Sequence, residues 1–380
     1  MLKSVPYYLI LLFLVSLPFD HFYSEVVLIT LTAYTVLLAK RADWKKWKDP
    51  RVLTLEILYG VTLLALAYGP SRAGASEVLF QQLPFLLFPW LCAVYADTLI
   101  AKRDRLFDAF SITCAAIIVY LYVDAFRVIH YFKMPLTSIF TEDYTNQSFT
   151  APLEMHATYL SIYTAVSLLF CIRKRRLWLI PFLVLGLIQL STKTVFASVI
   201  LILVLQGWRK WRVATIAVLA GVIVLSSAFL HKRMITDLRT DLDPVQQKGF
   251  DTRLMRWEVA WSLVKAAPVS GYGLGSMQAN LDQAYLKKRM YQSYLYGVNT
   301  HNQFLSWWLS RGILGVVVYT GMLIWGFYKA FSAKDPLWIG FLVLVTLVSF
   351  SENLLEVQHG LFFMAFFFSF FPFTQRRSHE

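Results

Sequence analysis

The residues best suited to chemistry lie in Asn299-Thr300-His301-Asn302-Gln303-Phe304-Leu305, which closes a polar stretch of roughly seventy residues beginning near His231. Imidazole titrates near neutrality, so a half-solvated histidine can take a proton from a hydroxyl. The plainer alternative for His301 is an interfacial residue that caps a helix or reaches for water. Upstream, Arg253 and Arg256 stand three apart, on one face if the segment is helical. Two guanidinium groups so placed suit a diphosphate, because they bring fixed donors and charge without a metal; the alternative is contact with lipid headgroups.

Further polar residues interrupt otherwise apolar sequence. Lys193 falls between two apolar segments and is either a site residue or a turn charge that reaches water; Arg311 in Ser310-Arg311-Gly312 is similarly placed, and its plainer reading is a cap for a neighbouring helix's carbonyls. Glu352, Glu356 and His359 follow at i, i+4 and i+7, and a helix would align them on one polar face. The Glu-x-x-His spacing imitates a di-iron bundle, but that architecture needs a second copy and more carboxylates, so no metal site is expected. Asp124 and Arg127 are expected to pair, with proton-relay duty as the alternative. Gly271-Tyr272-Gly273-Leu274-Gly275 follows a proline rather than a strand, which excludes a dinucleotide loop.

These residues need a scaffold that holds them at a bilayer surface. With 57% hydrophobic and 16% charged residues and a mean hydropathy of +0.54, the 380-residue chain reads as an all-α, polytopic integral membrane protein. Cys92, Cys114 and Cys171 lie inside apolar segments and read as small core residues. The net charge of +13 is gathered in short clusters, Lys40–Arg51, Lys102–Arg105, Arg173–Arg176, Arg209–Arg212, Lys329–Lys334 and Arg376–Arg377. That pattern fits cytoplasmic anchors rather than nucleic-acid binding.

Twelve spans are predicted near 5–20, 23–39, 52–68, 77–100, 106–129, 156–172, 177–191, 194–208, 213–230, 312–331, 337–350 and 360–373. With both termini cytoplasmic, every basic cluster then falls on the inner side. No cleavable signal is expected, because Val5–Pro18 lacks a small-residue cleavage site and another apolar block follows at once. Residues 1–380 form a single membrane domain, and residues 231–300 form its large external loop. In that loop Leu254, Trp257, Trp261 and Val264 recur at helical spacing, and a second helix is predicted over Met277–Lys288. The outer loop at 130–155, interrupted by Pro135 and Pro152, is expected to be irregular with one short helix.

The ordered set Arg253-Leu254-Met255-Arg256-Trp257, then Pro268 to Gly273, then His301 to Leu305 with Gly312 and Gly315, resembles the O-antigen ligase and O-antigen polymerase superfamily, which includes protein O-oligosaccharyltransferases. The resemblance implies a bacterial inner-membrane enzyme whose loop faces the periplasm and whose donor is an undecaprenyl-diphosphate-linked glycan. It implies diphosphate binding by Arg253 and Arg256, general-base duty for His301 with Asn302 supporting, and no metal or cofactor. Where the family carries an arginine at a helix break, this chain has Lys193. Where many members carry a glutamate this chain has Ser310, and Glu352 or Glu356 stands in. O-antigen ligase, with lipid A-core as acceptor, is the favoured function. Repeat-unit polymerisation and transfer to protein are alternatives sharing the donor. A transporter or flippase would need polar residues through mid-span, whereas the charges here lie at the ends.

Overall fold

The computed structural model describes residues 4–68, 74–207, 251–267 and 269–375. The span predicted over 213–230, the loop residues 231–250, the clusters Arg209–Arg212 and Arg376–Arg377, and Pro268 lie outside the described residues. Among the described residues all regular structure is helical. In chain order the helices are α1 (Val5–Ser16), α2 (His21–Leu38), α3 (Arg41–Lys45), α4 (Pro50–Tyr68), α5 (Ala75–Gln81), α6 (Pro84–Val94), α7 (Ala96–Tyr131), α8 (Gln147–Thr150), α9 (Ala157–Lys174), α10 (Ile180–Leu190) and α11 (Lys193–Gly207). After the interval come α12 (Arg253–Ala266), α13 (Met277–Lys287), α14 (Tyr291–Leu295), α15 (Gln303–Ser332), α16 (Pro336–Ser349) and α17 (Gln358–Phe373).

Among the described residues five helical stretches are long and apolar enough to cross a bilayer: α2, α4, α5 with α6, α7 and α15. Five shorter apolar helices, α1, α10, α11, α16 and α17, join them. The core is aromatic. In α17 every residue from His359 to Phe373 is buried, because a helix apolar on all sides has no face to give to water. Its phenylalanines meet Phe13 and Phe88 on one flank, Phe107 and Phe110 on another, and Phe341 on a third. The three cysteines are buried and unbridged.

Several predicted boundaries move. The stretch 77–100 is divided at Gln82–Leu83 and again at Tyr95, where α6 ends and the 36-residue α7 begins. At about 1.5 Å per residue α7 exceeds the thickness of a bilayer, so its charged first turns project beyond it. Helix α15 starts at Gln303, nine residues before the predicted 312, because the side chain of Asn302 accepts from the Leu305 amide and caps it there. Residues 350–357 are not helical, so Glu352 and Glu356 sit on a loop and the common helix face with His359 does not form. The loop at 130–155 is irregular as expected, with three 3-10 turns and the four-residue α8.

Helices α7 and α16 run antiparallel to α9, α15 and α17. The ends carrying His130, His156, Asn302, Phe350 and Gln358 lie on one side of the bundle. The ends carrying Arg103, Lys174, Ser332, Asp335 and Phe373 lie on the other.

Candidate active site

Helix α12 delivers the first functional side chain. Thr252 caps it by accepting from the Met255 amide at 3.3 Å, which fixes Arg253 in the first turn. The helix is held by a small second core in which Val259, Ala260 and Val264 pack with Leu281, Tyr285, Met290 and Leu309. The buried stripe is therefore rotated from the predicted one. Leu254 is 38% and Trp261 43% exposed, and Trp261 instead sets its edge against Trp308 with centroids 5.5 Å apart. Trp257 serves the site differently, because its indole N–H donates to the Thr300 carbonyl at 3.0 Å and ties α12 to the residue before His301.

His301 has φ +45°, in the left-handed region where non-glycine residues store roughly 1–3 kcal/mol of strain unless their surroundings impose it. Here they do. The His301 amide donates to Asn299 Oδ1 at 2.9 Å, and Asn302, next in the chain, is locked as the cap of α15. Asn302 Nδ2 also donates to the Phe350 carbonyl, while Gln303 Oε1 accepts from the Leu355 amide at 2.7 Å. These bonds lay the loop 350–357 across the start of α15. Ser306 donates to Glu356 Oε1, and Asn353 Nδ2 donates to Glu356 Oε2 at 2.7 Å, which completes the seam.

The seam brings Glu352 to His301. Glu352 Oε2 lies 3.2 Å from His301 Nδ1, and its other oxygen lies 3.4 Å from Nη2 of Arg253. The glutamate side chain is 11% exposed, the histidine 27% and the arginine 40%, so the carboxylate is sheltered while both partners face outward. Burial pushes the Glu352 carboxyl up, but the hydrogen bond and charge of His301, with Arg253 and His156, outweigh it and hold the group below its usual value. An ionised carboxylate accepts only. The Nδ1 atom therefore carries the proton, and Nε2 of a neutral ring is left as a base.

His156 belongs to this neighbourhood too, within the electrostatic reach of Glu352, His301 and Arg253. Its Nδ1 accepts from the Thr158 amide at 3.3 Å and caps α9. Burial holds it below the ordinary imidazole value, with Glu352 opposing that shift and His301 and Arg253 reinforcing it. A lone histidine ahead of an apolar helix carries no sequence mark of this role. Glu356 behaves oppositely to Glu352, because burial raises its carboxyl and the Ser306 hydrogen bond, Arg311 and Asn353 only partly offset it.

The remaining predicted residues separate. Arg256 turns to its own loop and donates to the Asp251 carbonyl at 3.1 Å. Lys193 opens α11 at the same end of the bundle, half-buried, two residues after the left-handed Ser191. Arg311 is buried at 2% exposure, donates through Nε to Thr62 and through Nη1 to Ser310, and lies 4.3 Å from the centre of the Trp307 ring. Its place is inside the bundle wall. His359 Nε2 donates to the Phe19 carbonyl, 2.9 Å away, rather than joining the glutamates. Asp124 and Arg127 pair at 2.6 Å, as expected. Among the described residues no group of three or more His, Cys, Asp or Glu side chains converges as metal ligands would.

Gly312 explains how the segment 269–272 is anchored to α15. It breaks the helix with φ +68° and ψ −166°, and the loop at 269–272 fills the break. The Tyr272 amide donates to the Leu309 carbonyl at 2.6 Å, and the Ile313 amide donates to the Val269 carbonyl at 3.2 Å. A Cβ on Gly312 would stand 1.9 Å from the Val269 oxygen. The glycine is thus needed for both its conformation and the close approach.

Residues 189–320, roughly a third of the chain, match the family described as O-antigen ligase. The matched segment contains Lys193, Arg253, Arg256, His301 and the Gly312 break, so the resemblance drawn from those motifs is borne out where they lie. No curated protein matches the chain.

Proposed function

Starting from the match of residues 189–320 to the O-antigen ligase family, we propose that the chain is an inner-membrane glycosyltransferase that moves a preassembled glycan from undecaprenyl diphosphate to lipid A-core at the periplasmic face. The family supports an enzyme of the ligase or polymerase type and a multi-pass membrane setting. The reading of mechanism rests on one observation, the Arg253–Glu352–His301 group at one end of the bundle.

In the proposed reaction Arg253 meets the diphosphate, which sits at headgroup level while the polyprenyl tail lies against the helices. Lys193, at the same end, adds charge, and Arg256 holds the loop that presents Arg253. The acceptor hydroxyl gives its proton to Nε2 of His301 as its oxygen bonds to the anomeric carbon. The bond from that carbon to the diphosphate oxygen breaks, and the electron pair leaves with the polyprenyl diphosphate, whose charge Arg253 steadies. Glu352 keeps the imidazole in the basic tautomer. This scheme asks nothing of a metal, since the leaving group is already stabilised.

The test is glycan transfer by purified protein in detergent. His301→Ala should lower turnover by about a hundred- to ten-thousand-fold, the usual worth of a general base, while lipid-linked donor still binds. Near-normal transfer would reduce His301 to an interfacial residue, and lost donor binding would move it to the diphosphate. Deleting the gene assigns the acceptor. Core lacking polymer, with lipid-linked polymer accumulating, means ligase. Core with a single repeat means polymerase, and intact lipopolysaccharide with unglycosylated proteins means transfer to protein.

A further inference from the structure

At the opposite end of the bundle from His301 the chain encloses a cavity of about 600 Å³. Its walls come from the projecting first turns of α7, the end of α9, the turn between α15 and α16, and the end of α17. Five cations line it, Arg103, Arg105, Arg173, Lys174 and Lys334, against two carboxylates, Asp104 and Asp335. None of these groups takes part in the chemistry proposed above.

Two of the five cations are committed to building the walls. Arg103 donates to Asp335, which is 6% exposed, also accepts from Gln375 and caps α16 through the Leu337 and Trp338 amides. Lys174 pairs with Asp104 at 2.6 Å and ties α9 to α7. Burial pushes the Asp335 carboxyl up, but Arg103, Gln375 and the capped amide hold it below its usual value, so the Arg103 pair stays charged. Among the described residues no carboxylate pairs with the other three, Arg105, Arg173 and Lys334. They come from three separate elements and converge on one concave space. Setting membrane orientation requires basic residues in loops but not their convergence on a cavity. The wall also offers the side chain of Ile100, 37% exposed.

We propose that this cavity is a binding site for a phosphate group on the basic side of the membrane, with Arg105, Arg173 and Lys334 as its ligands. The ligand's charge is matched by three unpaired cations, and a guanidinium pair suits phosphate oxygens better than ammonium alone. Two sources carry this chemistry, the headgroup of an anionic phospholipid and free phosphate. Basic pockets between helices on this side of membranes commonly hold lipid headgroups.

The experiment uses the full chain in nanodiscs of phosphatidylcholine, alone, with added phosphatidylglycerol, or with millimolar inorganic phosphate, and follows both thermal melting and lipid retention. The expected result is stabilisation by the anionic additive that weakens with salt and needs at least tenfold more additive in the combined Arg105→Gln, Arg173→Gln, Lys334→Gln variant. A response to phosphatidylglycerol alone identifies the lipid headgroup, and an equal response to inorganic phosphate identifies the free ion. Equal responses from parent and variant overturn the proposal. A measurement on the unaltered protein guards against a variant that folds badly: acetylation of Lys334, read by mass spectrometry, should slow at least threefold when the anion is present while exposed Lys45 stays unchanged. Equal rates at Lys334 with and without anion also overturn it.

Discussion

Replacing Glu352 by glutamine isolates the part of the mechanism that geometry carries most directly. The substitution keeps size and an acceptor but removes charge, and its amide can donate to Nδ1 of His301. That would shift the imidazole proton to Nε2 and remove the base. The lost contact is a hydrogen bond of 3.2 Å to a carboxylate that is 11% exposed. A hydrogen bond to a charged group is worth about 1.5–3 kcal/mol, or roughly ten- to a hundredfold in rate at 1.36 kcal/mol per decade. The reversed tautomer adds to this, toward the ten-thousandfold limit for losing a general base. The contact of Glu352 with Arg253 is 3.4 Å to a side chain 40% exposed. Screened by solvent, it is worth less than about 1 kcal/mol. Glu352→Gln should therefore lower kcat by about a hundredfold or more while the donor KM stays within about threefold. Glu352→Ala should retain more activity than Glu352→Gln, since an unpartnered ring still samples the basic tautomer. Steady-state transfer with purified protein, alongside melting curves, measures all three. A glutamine enzyme retaining a third of parental kcat would refute the positioning role. A defect confined to KM would assign Glu352 to Arg253 instead.

Arg253→Lys should lose nearly as much kcat/KM and donor affinity as Arg253→Ala, at least tenfold in each case, because a single ammonium cannot replace the planar fork toward a diphosphate; donor-binding titration checks it. Gly312→Ala should destabilise the protein by about 3 kcal/mol or more, from left-handed strain and collision with backbone, and expose the 269–272 segment to protease. Gly321, where a Cβ meets nothing within 4 Å, supplies the control, and alanine there should be neutral or stabilising. Glu356→Gln tests the opposite signs of the two glutamates. Because its folded carboxyl is raised, Glu356 contributes fully only below the unfolded value of about 4.3 and loses stability as pH rises through the folded value. The glutamine variant should gain melting temperature over the parent between pH 5 and pH 8, and a constant difference would refute it.

The positions of the apolar helices were legible because hydropathy reads burial and bilayer length together, and α1, α2, α4, α9, α10, α11, α16 and α17 lie within a few residues of their predicted spans. The errors have a common cause. The sequence reading placed the start of the helix after His301 where hydrophobicity rises, near Gly312, whereas a polar cap at Asn302 starts it and Gly312 breaks it. In the same way Trp261 falls in the predicted helical stripe yet is 43% exposed, and the second core takes Val259 and Ala260 beside the predicted Val264. Periodicity reports which residues are apolar, not which neighbours leave room for them.

His301, Arg253 and Glu352 were each visible, but their association was not, since 99 residues separate Arg253 from Glu352 and no local pattern records a loop laid over a helix start. Read as a helix face, Glu352 and Glu356 would have been equivalent. As a loop they are opposites: one carboxyl is turned to a histidine and an arginine and kept ionised, while the other is enclosed beside Ser306 and Asn353 and driven toward its neutral form. The non-helical stretch 350–357 creates that difference, because a straight helix would present both groups to the same surroundings. The polar bonds from Asn302, Gln303 and Ser306 to that stretch are therefore part of the catalytic proposal and not only of the fold. They keep the loop open, aim one carboxylate at Nδ1, and impose on His301 the left-handed backbone that lets its ring reach it.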